Sequence, residues 1–127
     1  MIRFDTNNKL KAKEIIEVFE SVGWSKNIEN IVQAFGDSYY VSAYDGKKLV
    51  GFARAITDYY YYVGIYDVVV HKDYQKRGIG SFMIKQLLDN FNGLEFVLTQ
   101  INNSESFFEK FGFEKNDAVM YLGVKKV

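Results

Sequence analysis

The sequence predicts an α/β (α+β) fold, a mixed β-sheet flanked by about four helices, on three observations. Asp45-Gly46 sits between two runs of strand character, Tyr39 to Tyr44 and Lys48 to Thr57, and so announces an antiparallel hairpin. A strand over Tyr61 to Val70, a helix over Gly78 to Phe91 and a strand over Leu94 to Thr99 form a crossover, which parallel strands require. Hydrophobic residues make up 48% of 127 residues, with no repeat, linker or low-complexity tract, so residues 1–127 are expected to form a single domain.

The elements follow in order. Ile2 to Phe4 reads as a short strand. Ala12, Ile15, Ile16 and Phe19 then recur at helical spacing, with Asn7 or Asn8 available as cap and Gly23 just beyond the end. Ile28, Ile31, Val32 and Phe35 carry a second helix over Asn27 to Phe35. After the hairpin, Tyr61 to Val70 is rich in β-branched and aromatic residues, and strict alternation puts Val63, Ile65, Asp67 and Val69 on one face. The next helix has Ile84, Leu87, Leu88 and Phe91 inward and Gly93 at its close. Beyond Asn102-Asn103, Ser104 or Ser106 can cap a brief helix that buries Phe107, Phe108 and Phe111 and stops at Gly112. Residues 113–124 then supply one or two final strands.

Composition excludes several functions. The sixteen Lys+Arg cancel the sixteen Asp+Glu, so no global field draws the chain to nucleic acid or an anionic membrane. Zero cysteines remove disulfides, thiolate metal sites and thiol nucleophiles, and the single histidine leaves no metal pair. The opening MIRFDTNNKLKAK has no apolar signal core, and no window approaches the roughly 20 apolar residues of a spanning helix. A cytoplasmic protein with no metal, no nucleic acid and no membrane partner is the expectation.

Chemistry concentrates where the strand ending in Val70 meets the helix opening at Gly78. Two glycines there let the backbone turn tightly, and the unpaired N–H groups of a helix start point outward with the positive end of its dipole. Such a turn cradles phosphates, and Lys76 and Arg77 add mobile charge. Met83 stands where a dinucleotide fingerprint wants its third glycine, and no Gly-Lys-Ser/Thr is present for a P-loop. A plain strand-to-helix turn is the alternative reading of two glycines alone.

Gln75-x-x-Gly78-x-Gly80 in this setting resembles the acetyl-CoA pyrophosphate loop of the GCN5-related N-acetyltransferase (GNAT) superfamily. Phe107-Phe108-Glu109-Lys110-Phe111-Gly112-Phe113 is similar to the family's Phe-Tyr-x-x-x-Gly-Phe segment, in the right order along the chain. The resemblance runs from about Lys48 to Tyr121 and fades over the first third. It implies fourth and fifth strands, here Tyr61–Val70 and Leu94–Thr99, that splay apart around a thioester arm. Backbone groups of Val68, Val69 and Val70 are then expected to hold the pantetheine arm as an added strand would, and backbone N–H groups of Gln75, Lys76, Arg77, Gly78, Ile79, Gly80 and Ser81 the pyrophosphate. The implied activity is acetyl-CoA-dependent N-acetylation of a primary amine, on a small molecule or peptide, by direct attack in a ternary complex. Related proteins commonly pair as homodimers, so a homodimer is among the partner expectations.

One position departs from the pattern. The family's proton-donating tyrosine falls on Phe108, which the resemblance places among the coenzyme-binding residues but which has no hydroxyl. That departure keeps a catalytically weak or inactive acetyl-CoA-binding module of the same fold as the alternative function, with an unrelated α/β phosphate binder as a third. Asp67 is the candidate on the proton-accepting side, and a hydrogen-bonded aspartate fixing a bulge is its alternative reading. His71, at the exit to the loop, reads as structural. Trp24 and Tyr59 to Tyr62 read either as an acceptor pocket or as core and strand filler.

Overall fold

The computed structural model describes residues 1–25, 29–99 and 104–123. Five strands, β1 (Ile2–Thr6), β2 (Tyr39–Asp45), β3 (Lys48–Thr57), β4 (Tyr62–Val70) and β5 (Glu95–Leu98), form one sheet in the order β1-β2-β3-β4-β5. Neighbours are antiparallel except β4 and β5, which run parallel across the crossover. The helices are α1 (Ala12–Ser21), α2 (Ile31–Gly36), α3 (Ile79–Asn90) and α4 (Glu105–Glu109), with a 3-10 turn over Lys72–Tyr74. No described helix is long and apolar enough to cross a membrane.

The sheet is covered on both faces. Ile15, Val18 and Phe19 of α1 and Ile31 and Phe35 of α2 pack with Tyr40, Tyr44, Leu49, Phe52 and Val69 on one side. Ile79, Met83, Ile84 and Leu87 of α3 and Phe108 of α4 pack with Val41, Ala43, Ala53, Ala55, Val63 and Ile65 on the other. Stacked and edge-on rings, such as Phe19 and Phe35 against Phe52 at 5.0 and 5.1 Å, fill the α1–α2 side.

Several elements differ from the sequence reading. Asn7 and Asn8 cap nothing, because α1 starts after Lys11 and their amides are taken by β2. Asn7 Oδ1 accepts from the Tyr40 amide at 2.9 Å, Asn8 Nδ2 donates to the Tyr44 hydroxyl at 2.6 Å, and the Tyr40 hydroxyl donates to the Asn8 carbonyl. Burial pushes the pKa of both tyrosines above the ordinary value. The second helix begins at Ile31, and Asn27 and Ile28 lie outside the described residues. The hairpin turns on Gly46-Lys47, since Asp45 pairs with Lys48, and Gly46 supplies the positive φ of +61° that the first central position of such a turn needs. Ser104 precedes α4 without a side-chain cap bond, and Ser106 lies inside the helix. No strand forms over residues 113–123, where Val119, Met120, Tyr121 and Leu122 are exposed; residue 124 lies outside the described residues.

The largest correction concerns β4. Its register against β3 shifts between Ala55, opposite Ile65, and Arg54, opposite Asp67, so Tyr66 is an extra residue, a β-bulge. A bulge exchanges the two faces of a strand. Val63 and Ile65 therefore face α3, whereas Asp67 and Val69, expected on the same face, point to the α1–α2 side, and Val68 and Val70 take their place toward α3.

Candidate functional site

Pairing of β4 with β5 covers only Tyr62–Ile65 against Glu95–Leu98. From Tyr66 to Val70, β4 continues without a β5 partner among the described residues, and the sheet opens at the bulge. A cleft of about 540 Å³ lies on the α3 side of this opening. Val68 and Val70 form one wall, the loop and helix start from Gln75 to Ser81 another, and Ser104, Phe107, Phe108 and Lys110 the third.

The loop is firm in its first half and unspent in its second. The His71 amide donates to the Val50 carbonyl at 2.7 Å, the Lys72 amide to Ser21 Oγ at 3.1 Å, and the Asp73 amide to His71 Nδ1 at 3.1 Å. Tyr74 lies between Lys48 and Arg77, whose cationic groups sit 5.6 and 5.0 Å from its ring centre. Its hydroxyl donates to Asp45 Oδ2 at 2.7 Å, and that bond is the first cause of a raised tyrosine pKa. Thus the β2–β3 turn braces the loop.

Lys76 and Gly78 then adopt φ of +63° and +80°, two left-handed steps that turn the chain into α3. The first α-helical bond runs from the Phe82 amide to the Gly78 carbonyl at 3.0 Å. The N–H groups of Ile79, Gly80 and Ser81 precede it and have no partner within the helix. They are the donors an anion needs, at the positive end of a twelve-residue helix.

The structure brings most of the expected residues together: Val68, Val70, Gln75, Lys76, Gly78, Ile79, Gly80, Ser81 and Phe108 all line the cleft. Val69 and Arg77 do not bring their side chains there, whereas the resemblance concerns their backbone groups. The Val69 side chain is buried with α1 and α2, and Arg77 stacks on Tyr74 while donating to the Asp73 carbonyl at 3.1 Å. Gln75 Nε2 donates to the Val70 carbonyl at 3.0 Å, so that strand oxygen is already engaged. Phe108 is buried edge-on to Phe107 and Phe113 and also walls a second cleft, of about 860 Å³, between β5 and residues 113–119.

Asp67 is 3% exposed, adjoins the bulge, and accepts from Arg54 Nε at 2.6 Å. It faces away from the cleft. His71 is buried and hydrogen-bonded within the loop, as its structural reading expects. Trp24 and Tyr59 to Tyr62 are exposed, between 41% and 78%, so they are not core filler. Asp58 fixes the loop that carries those tyrosines: its Oδ1 accepts from the amides of Tyr60, Tyr61 and Tyr62 at 2.8–3.1 Å. Two further residues belong to the site: Lys110, inside the Phe107–Phe113 motif, lines the cleft, and Arg54 holds Asp67. An Arg and an Asp placed at matching depth in two apolar strands of one hairpin was the available signal for Arg54.

Comparison with known proteins agrees with this geometry. Residues 36–115 match the family described as "Acetyltransferase (GNAT) domain". The chain is 32% identical over 124 residues to the uncharacterized N-acetyltransferase ycf52 of Pyropia yezoensis, covering 91% of this chain and 71% of that one. It spans 48–64% of the length of the next curated relatives. Among solved structures, a GNAT family acetyltransferase from Streptococcus pneumoniae TIGR4 superposes with a TM-score of 0.77 at 27% identity, over 100% of this chain and 98% of that one. A probable acetyltransferase from meticillin-resistant Staphylococcus aureus shares the fold at a TM-score of 0.87 and 20% identity, over 99% and 100% of the two chains.

Proposed function

Because the chain belongs to the GNAT acetyltransferase family, we propose that it transfers an acetyl group from acetyl-CoA to a primary amine of a small molecule or peptide, by direct attack in a ternary complex. The observation that carries this reading is the row of unspent amides from Ile79 to Ser81 at the mouth of the β4–β5 opening. The residues present suit the cosubstrate. Three N–H donors with Lys76 and Lys110 beside them suit a diphosphate, and the apolar wall of Val68, Val70 and Phe107 suits an alkyl arm.

Acetyl-CoA supplies a thioester carbonyl as electrophile. The exposed edge of β4 offers backbone groups on which a pantetheine amide can pair as an added strand would, with Val68 the open position because Gln75 already holds the Val70 carbonyl. At the bulge, backbone N–H groups can donate to the carbonyl oxygen as it gains charge, and holding both reactants in one geometry lowers the barrier further. An alkylamine with a pKa of about 10.4 is mostly protonated at neutral pH and must lose that proton. The cosubstrate fills the α3 side of the sheet, so the amine arrives from the α1–α2 side. Asp67 faces that side beside the bulge and is the group to which we assign the proton, directly or through water. Arg54 compensates its charge. Phe108 closes the cleft and has no proton to give, so the second proton, shed by the nitrogen as the amide forms and the C–S bond breaks, passes through water to the leaving sulfur. The cysteine-free chain suits a reducing, cytoplasmic setting.

Phe108 also favours a second reading, a module that binds acetyl-CoA without turnover. Calorimetric titration with acetyl-CoA, followed by a coenzyme A release assay over polyamines, aromatic amines, amino acids and peptides, separates the two. Amine-dependent release well above hydrolysis establishes the transferase. Tight binding with no release across the panel leaves the binding module, and no binding at all removes both.

A further inference from the structure

A charged residue in the middle of a covered sheet needs partners, and Arg54 has them on β4, on α2 and in the turn that follows α2. It stands on β3 where the register with β4 shifts, directly opposite Asp67. Its Nε donates to Asp67 Oδ2 at 2.6 Å and its Nη1 donates to Ser38 Oγ at 2.9 Å. The guanidinium carbon lies 5.6 Å from the ring centre of Phe35 on α2. The Ser38 hydroxyl donates in turn to the Ala34 carbonyl of α2 at 2.6 Å. A continuous run of hydrogen bonds therefore joins α2, through Ser38 and Arg54, to Asp67 at the bulge. The Arg54 and Asp67 side chains are 16% and 4% exposed, so water competes little for these bonds.

We infer that Arg54 is a positioning residue: it passes the position of α2 to the Tyr66–Val68 bulge and so sets the backbone groups that face the thioester. This inference rests on the acetyl-CoA reading of the cleft. A bulge leaves one residue outside the ladder, so pairing with β3 does not by itself fix how its peptide planes point. The planar fork of a guanidinium fixes both of its partners at once, which a lysine ammonium on a flexible stem does not. Asp67 points away from the cleft, so its pairing reaches the thioester only through the backbone of β4. Helix α2 covers the face from which the amine arrives, so seating the amine and aligning the carbonyl share one mechanical link.

The test uses the full chain as wild type, Ser38→Ala, Arg54→Met, Arg54→Lys, and Ser38→Ala in both Arg54 backgrounds. In the free protein, the amide resonances of Tyr66, Asp67 and Val68 are followed. With acetyl-CoA labelled with carbon-13 at the thioester carbonyl, the displacement of the bound carbonyl resonance and the calorimetric Kd are read. Ser38→Ala is expected to move the three bulge amides in the wild-type background and to lose that effect in either Arg54 variant, the signature of coupling through the shared side chain. Arg54→Met is expected to remove about half or more of the carbonyl displacement while Kd changes less than about threefold, and Arg54→Lys to recover part of it. Equal Ser38→Ala shifts in all backgrounds, or shifts confined to α2, overturn the inference. So does a carbonyl displacement unchanged in Arg54→Met, or one that falls only in step with Kd. Should Arg54→Met not fold, the Arg54→Lys background carries the same comparison. A wild type that fails to bind acetyl-CoA defeats the proposed function, whereas the free-protein comparison still decides the part played by Arg54.

Discussion

Gly78 and Gly80 are two residues apart, yet alanine at each should move stability in opposite directions. Gly78 caps α3 at φ +80° and ψ 6°, and a Cβ built there meets nothing within 4 Å. The cost of Gly78→Ala is therefore backbone strain alone, about 1–2 kcal/mol for an L-residue in the left-handed region. The reduced freedom of the unfolded chain returns about 0.4–1 kcal/mol, leaving a net loss of about 1 kcal/mol. In a domain of this size that lowers Tm by roughly 3–5 °C. Gly80 lies inside the helix, and its Cβ would sit 3.5 Å from Phe107 Cζ and 3.7 Å from Val70 Cγ2, ordinary contact distances. Gly80→Ala should thus stabilise by about 0.5–1 kcal/mol.

Affinity separates the pair again. Alanine at 78 stays in the left-handed region under strain, and the shift in φ and ψ that eases part of it tilts the peptide carrying the Ile79 amide. Losing one charge-assisted hydrogen bond of about 1.5 kcal/mol weakens acetyl-CoA binding roughly tenfold. Gly80→Ala adds a methyl against Val70 and Phe107 without re-aiming the loop, and Kd should stay within about threefold. Thermal melts and calorimetry read both quantities. A Gly78→Ala variant that melts early yet binds acetyl-CoA like wild type refutes the reasoning, because the turn would then be unconnected with the grip.

Three further outcomes are expected. Phe108→Tyr restores a hydroxyl at a buried position on the cleft wall; acetyl-CoA affinity should hold within about threefold and turnover should rise, as coenzyme A release reads. Lower turnover in the folded variant would show that the phenyl ring serves the acceptor. Asp67→Asn keeps a hydrogen-bond acceptor for Arg54 but no proton acceptor, so amine-dependent turnover should fall at least about tenfold with little change in acetyl-CoA affinity. Unchanged turnover removes Asp67 from the mechanism. Asp58 is held below the ordinary aspartate value of 3.8, first by the Tyr61 amide and then by those of Tyr60 and Tyr62. Its depressed folded value means that its contribution to stability is present above pH 3.8 and lost as pH falls through the folded value. The carboxyl carbon of Asp58 should titrate late on acidification, together with the Tyr60–Tyr62 amides, and Asp58→Asn should abolish that coupled step.

Local backbone chemistry was legible in the sequence, and the facing of β4 was not. Gly46 and Gly78 stand at turns whose φ excludes most other residues, so the hairpin and the loop into α3 could be placed from residue type alone. The bulge at Tyr66 left no such mark. Val63, Ile65, Asp67 and Val69 alternate without interruption and all four are buried, but in a sheet covered on both faces burial does not say which face. Only Arg54 and Asp67, two opposite charges in apolar strands, signal that something special happens there. Asn7 and Asn8 failed as caps because tertiary partners on β2 outbid the helix for their amides. Residues 113–123 carry a strand-like apolar run that the structure leaves out of the sheet, and nothing in the described residues explains it.

The grip of the Gln75–Ser81 turn on the cosubstrate is open to direct observation by titrating acetyl-CoA into nitrogen-15-labelled protein. The largest and earliest amide shifts should fall on Ile79, Gly80 and Ser81, with Val68 following and β1 unmoved. Saturable binding that leaves those three amides where they were in the free protein would contradict the account.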